Sequence, residues 1–320
     1  MEWPNHATAW AQWRNAMEGA RMHHAWILAG KAGIGKHDFA LAAARALVAE
    51  EGIPQPAGQH PDILILTHLP KDDQEERKRD DGKPFEVKRN IAVSQIRAMQ
   101  QRLTTRPTLG ARRVIIINPA DDMERSASNA LLKSLEEPPV GTFFLLVTHR
   151  PAGLLPTIRS RCRMLRFATL GDAEIAQHLA EEFPGTKPEQ CELAVKMSGG
   201  SLVSARNFLE QELGAVASAM RRLASQGDPG FELRGQLAAA IGQRPDRDRM
   251  RAVLELARTT LAQALPDTDP QSQTALIEAH QELVVLAGQA PTYNFDPGLL
   301  AGEIASLLAR AAGASEPAHG

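Results

Sequence analysis

The chain has 320 residues, 43% of them hydrophobic, 23% charged and 4% aromatic, with a net charge of −2. That length allows two or three domains with real cores, and no run of about 18 apolar residues is present to suggest a membrane span. Two cysteines, Cys162 and Cys191, cannot make a disulfide framework or a four-cysteine zinc site, so reduced thiols in a cytoplasmic protein are expected. The opening MEWPNHATAW lacks a basic segment followed by an apolar run, and no secretory signal is expected. Charge is uneven: residues 1–168 hold 24 Lys/Arg against 18 Asp/Glu, and residues 169–320 hold 12 against 20. A basic first half fits contact with the phosphates of a nucleotide or nucleic acid.

Residues 7–19 read as an amphipathic helix ending at Gly19, and AWILA (25–29) as a buried strand running straight into glycines. A helix is predicted over 36–49, with Phe39, Ala40, Ala43, Ala44 and Leu47 on one face. DILILT (62–67) reads as a second strand, and the charge run 71–83 as an exposed, mobile loop. Helix 93–103, strand RVIIIN (113–118), helix 126–136 and strand FFLLVT (143–148) follow. Apolar strands alternating with helices predict a parallel sheet covered on both faces, an α/β domain. Beyond Phe167 the strand signal stops. A small helical unit is expected over 171–207, then alanine- and leucine-rich helices broken at Gly227-Asp228-Pro229, Pro245, Pro266–Pro270 and Gly288–Pro297, with a frayed tail over 314–320. The domains are therefore drawn at 1–168, 169–208 and 209–320.

GKAGIGKH (30–37) sits between a predicted strand and a predicted helix, the context of a phosphate-binding P-loop. Its glycines would let backbone amides face phosphate, and Lys36 would meet the outer phosphates. The motif next demands Ser or Thr for magnesium, yet the residue is His37, a poor ligand for a cation that prefers oxygen. In P-loop ATPases the strand corresponding to RVIIIN ends in a carboxylate that holds the metal; here it ends in Asn118-Pro119. Asp121 and Asp122 lie past the strand end and read as loop or cap residues. Gly30, Gly33, Gly35, Lys36 and Thr148 thus form a candidate degenerate nucleotide site, expected to be a retained turn with no ligand rather than a site that binds nucleotide without turnover.

NALLKSLEEPP (129–139), FFLLVTHRPAGLLPTIRSRC (143–162) and RMHHAWILAGKAGIGK (21–36) resemble the clamp-loader family of AAA+ proteins, in its bacterial DNA polymerase III delta-prime branch. The resemblance covers residues 1–168 and extends through GGSLVSARNFLEQ (199–211), which matches the family's lid. It implies a P-loop AAA+ domain, a helical lid and an all-α collar. It also implies that Ser160-Arg161-Cys162 presents Arg161 as an arginine finger to the ATP of an adjacent subunit. A guanidinium is permanently charged and forks onto phosphate oxygens.

Active members carry a nucleotide-sensing arginine in the lid where this chain has Val203, while Thr148 matches the polar end of the sensing strand. Some relatives carry a four-cysteine zinc module; residues 50–60 contain no cysteine, so no metal is expected. His23 and His24 are discounted as ligands, because adjacent strand side chains face opposite ways. By resemblance the partners are gamma/tau and delta subunits in a hetero-pentamer, a sliding clamp and primer-template DNA; Arg97 and Arg102, on the helix before RVIIIN, read either as DNA contacts or equally as solvated helix surface. ATP would be bound by the neighbours, and polymerase activity would belong to the holoenzyme. An active AAA+ ATPase would need the missing carboxylate and hydroxyl. A small-molecule kinase would leave the arginine triplet and the third domain without a role.

Overall fold

The computed structural model describes residues 3–19, 22–267, 270–289 and 296–312; the tail over 314–320 lies outside the described residues. The chain divides into two compact units, Met1–Thr169 and Leu170–Gly320.

The first unit is built on parallel strands β1 (Ala25–Ala29), β2 (Ile63–Leu66), β3 (Arg113–Ile117), β4 (Thr142–Thr148) and β5 (Arg163–Arg166), in the order β2-β3-β4-β1-β5. Side chains alternate across a strand, so Ile115, Ile117, Phe144 and Leu146 pack on one face against α4 (Val93–Leu103) and α5 (Arg125–Glu136). Val114, Ile116, Leu145 and Val147 pack on the other against α1 (Ala7–Glu18) and α2 (Lys36–Val48). Both faces are covered, which explains why β1 and β3 read as unbroken apolar runs.

Two elements depart from expectation. The charge run is not a mobile loop: it contains α3 (Asp73–Asp80). Asp72 caps it by accepting from the Gln74 and Glu75 amides at 3.0 Å, and buried Glu75 accepts from the Glu86 amide and the Lys78 ammonium. Capping and a partnered buried carboxylate outweigh the solvation that such a charge run suggests. The edge strand β5 carries no apolar run to announce it; Arg163 and Arg166 are exposed there, and charged side chains keep an open edge from pairing with another chain.

Opposite the functional end of the sheet, Asp62 and Arg113 are both buried. Asp62 accepts from the Thr108 and Leu109 amides at 2.6 and 2.7 Å, while Arg113 donates to the carbonyls of Arg102, Thr105 and Arg106. Their charged groups lie 3.8 Å apart. The guanidinium thus caps the C-terminal turn of α4, a favourable place for a cation.

The second unit is helical: α7 (Asp172–Glu182), α8 (Pro188–Ser198) and α9 (Leu202–Glu210), then α10 (Gly214–Gln226), α11 (Glu232–Ile241), α12 (Arg247–Ala264), α13 (Pro270–Gln289) and α14 (Pro297–Ala311). Asp228, Asp246 and Asp296 accept from backbone amides at the starts of α11, α12 and α14. The Arg249 guanidinium satisfies the Ala240 and Ile241 carbonyls at the end of α11 and reaches the Gln211 carbonyl. The breaks at Gly227-Asp228-Pro229 and Pro245 therefore coincide with capped helix starts, as does Pro297 at the start of α14; Gly288 falls within α13, and residues 268–269 and 290–295 of the last two breaks lie outside the described residues. No helix among the described residues is long and apolar enough to cross a membrane.

Because removing one partner of a buried pair strands the other charge, Asp62→Ala should cost about 3–5 kcal/mol. Urea unfolding of the variant against the parent measures it.

Candidate functional site: a self-filled phosphate loop and a held arginine

β1 ends at Ala29 and the chain turns through Gly30–Gly35 into α2. Gly33 and Gly35 adopt left-handed φ of 72° and 80°, which only glycine takes without strain. Gly35 has a second reason to lack a side chain: a Cβ there would lie 2.3 Å from the indole ring of Trp3. Trp3 Nε1 donates to Asp38 of α2 at 2.8 Å, its ring stacks on His6, and His6 Nε2 donates to the Ile34 carbonyl at 2.8 Å. Burial holds the His6 pKa below its ordinary value. The N-terminal segment therefore lies directly on the loop.

Inside the loop, Lys36 is 3% exposed and its ammonium donates to the Gly30 and Lys31 carbonyls at 2.7 and 2.5 Å. Burial pushes its pKa down to about 8, with the Asp121 carboxylate working the other way. The next residue, His37, accepts at Nδ1 a hydrogen bond of 3.1 Å from the Asn118 amide at the end of β3. The two positions at which a P-loop ATPase would hold magnesium are thus bonded to each other.

Asp121 is also committed. It accepts from the Thr148 hydroxyl at 2.5 Å and from the His149 and Arg150 amides at 2.6 and 3.1 Å, closing the end of β4. Asp122 faces His68 at 3.2 Å and Arg150 at 3.8 Å. Burial, together with the charges of Lys36 and Arg150, lowers the His149 pKa against the pull of Asp121 and Asp122. Imidazole and amide groups at positions 37 and 118, with Lys36 turned onto the loop's own carbonyls, do not fit a magnesium-bound nucleotide.

Of the sequence-derived site residues, Gly30, Gly33, Gly35 and Lys36 come together in this loop, and Thr148 lies beside it through Asp121. Val203 is exposed on α9. The reasoning about His23 and His24 needs correcting: they precede β1 and their rings stack 4.6 Å apart. His23 bonds the Ala25 backbone and His24 bonds the Leu135 carbonyl. Among the described residues no three His, Cys, Asp or Glu side chains converge on a metal position. Arg97 and Arg102 are both exposed on α4.

The arginine triplet follows the short helix α6 (Pro156–Arg159). Cys162 packs against the core, and burial raises its thiol to about 12, which makes it inert. Ser160 donates to the Thr157 carbonyl at 3.0 Å. Arg161 is half-buried. Its Nη1 donates to the Thr157 carbonyl at 2.9 Å and to Ser160 Oγ at 3.3 Å, and its Nη2 meets Glu136 Oε1 at 2.6 Å. The Glu136 contact was not legible, since nothing local in the sequence pairs residues 136 and 161.

The strand order, with a glycine loop after β1 and helical segments following the sheet, defines a P-loop AAA+ protein. The family model described as DNA polymerase III, delta subunit, matches residues 5–171, just over half of the chain, and the chain belongs to that family. A delta-prime subunit of Pseudomonas aeruginosa is 32% identical over 232 residues, 68% of this chain and 66% of its own length. That of Bacillus subtilis is 32% identical over 195 residues, covering 58% and 53%. A tau/gamma subunit of Haemophilus influenzae is 29% identical over 62% of this chain and 28% of its own. The chain therefore spans less than two thirds of these relatives' lengths. Among solved structures, a gamma subunit-related protein of Thermotoga maritima aligns over 93% of this chain and 97% of its own, at 17% identity and a TM-score of 0.45.

Two outcomes are expected of the loop. A double-mutant cycle of His37→Ala and Asn118→Ala in urea unfolding should give a coupling of about 0.5–1.5 kcal/mol, the net worth of one hydrogen bond. The Lys36 pKa is lower in the folded chain than its ordinary 10.5, so between about 8 and 10.5 the unfolded chain binds more protons at this group. Stability should therefore rise with pH between about 8 and 9, above which the raised Cys162 thiol works in the opposite direction, and Lys36→Met should abolish the rise.

Proposed function

We propose that this chain works as the delta-prime subunit of a DNA polymerase III clamp loader, an AAA+ subunit that hydrolyses no ATP itself. Its contribution to catalysis is Arg161, presented with Ser160 and Cys162 to the ATP of a neighbouring gamma or tau subunit. With a delta subunit these form a hetero-pentamer that opens a sliding clamp and sets it on primer-template DNA. The chain needs neither nucleotide nor zinc of its own, and it acts in the cytoplasm with the replication machinery.

The observation that carries this reading is a contrast within one domain. The loop that would take nucleotide is filled by Lys36, His37 and Asn118. Arg161, by comparison, is partly exposed and ordered by three polar contacts. Family membership and similarity to proteins named delta-prime and tau/gamma support the assignment to the loader. An active ATPase is disfavoured because Asp121, the nearby carboxylate, is occupied by Thr148 and two backbone amides.

The test is steady-state ATPase of the reconstituted loader with clamp and primed DNA. Fingers of this kind contribute roughly 10³–10⁵ in rate. Arg161→Ala should therefore all but abolish turnover at the site it serves, while the ring still assembles on size exclusion. Unchanged turnover would reduce this subunit to a scaffold.

A further inference from the structure

We propose that Glu136 is a positioning residue for Arg161, holding the guanidinium in the orientation in which it meets a neighbour's phosphate; this rests on the finger role argued above. A guanidinium has five N–H donors. Three are engaged, two on Nη1 by Thr157 and Ser160 and one on Nη2 by Glu136. That leaves the Nε donor and one Nη2 donor for an anion.

The Thr157 and Ser160 contacts come from the turn that carries the arginine itself, and fix only one end of the group. Glu136 is the contact from another element. It is the last residue of α5, one position beyond Leu135 and five beyond Leu131, both fully buried. Its backbone is therefore anchored in the sheet-facing core, and through it the tip of Arg161 is referenced to the same sheet that sets the loop. Without this contact the long side chain would rotate about its flexible stem.

A carboxylate beside a finger could also act as a competitor for it. Two features favour positioning. Donors remain open for a phosphate, and the side chains of Arg161 and Glu136 are 34% and 48% exposed, so water screens the attraction between them. The pair thus contributes little to binding energy, whereas a small misplacement of a group acting on a transition state is expensive in rate.

Reach and charge can be separated. Glu136→Asp keeps the charge and withdraws the acceptor by one methylene; Glu136→Gln keeps the reach and removes the charge. In the reconstituted loader with clamp and primed DNA, Glu136→Asp should lower kcat about fivefold with KM for ATP unchanged. Glu136→Gln should retain most of the activity. In an Arg161→Ala background Glu136→Asp should cause no further loss. Size exclusion verifies that each variant assembles, which its exposure permits. Normal turnover in Glu136→Asp beside a crippled Arg161→Ala overturns the positioning role and leaves the finger standing. Faster turnover in Glu136→Gln overturns it in favour of a restraining contact. Normal turnover in Arg161→Ala overturns the finger itself, and this inference with it.

Discussion

The hydrogen bond between His37 and Asn118 joins the first turn of α2 to the end of β3, across the place where a P-loop ATPase would put a metal ion. Everything at this end of the sheet follows from it. The buried lysine of the loop needs a partner, and Lys36 finds one in the carbonyls of Gly30 and Lys31. Asp121 ties down the end of β4 through Thr148. Trp3 and His6 then seal the outside against Gly35 and Ile34. Buried polar groups demand partners, and Lys36 obtains its partners from within the loop.

The fold itself rests on the two packed faces of the sheet rather than on the contents of the loop. The core on each face of the sheet is complete without a ligand: Trp13, Phe39 and Leu47 lie on one side, and Ile96, Leu131 and Phe144 on the other, all fully buried. What such a domain keeps is geometry. α5 and the β4–β5 connection both hold Arg161, the first through Glu136 and the second through Thr157 and Ser160; in the role proposed above, this is the cation a transferring phosphoryl group would meet from outside its own subunit.

Much of this was legible from residues alone. β1 and α4 lie where the apolar runs and helical periodicity put them, because strong local pattern and tertiary burial agree. The losses at His37 and Asn118 were also legible, but as two separate defects; that the two side chains bond one another depends on the fold bringing the start of α2 to the end of β3. α3 was hidden by its composition, since a charge-rich segment reads as solvated until its cap and the buried acceptor Glu75 are seen. β5 was hidden because an edge strand four residues long, with arginines at both ends, carries no apolar signal. The Glu136–Arg161 contact joins residues with no local relation in sequence, and nothing in the pattern could foretell it.

The central claim is that this chain keeps a phosphate-loop fold while taking no nucleotide into it. Thermal unfolding of the isolated chain, with and without millimolar ATP and magnesium, addresses it most directly, because any ligand bound only by the folded state raises Tm by mass action. An unchanged Tm is the predicted result. A rise that saturates with ATP and requires magnesium would contradict it, and would mean that Lys36 leaves its carbonyl partners to meet phosphate.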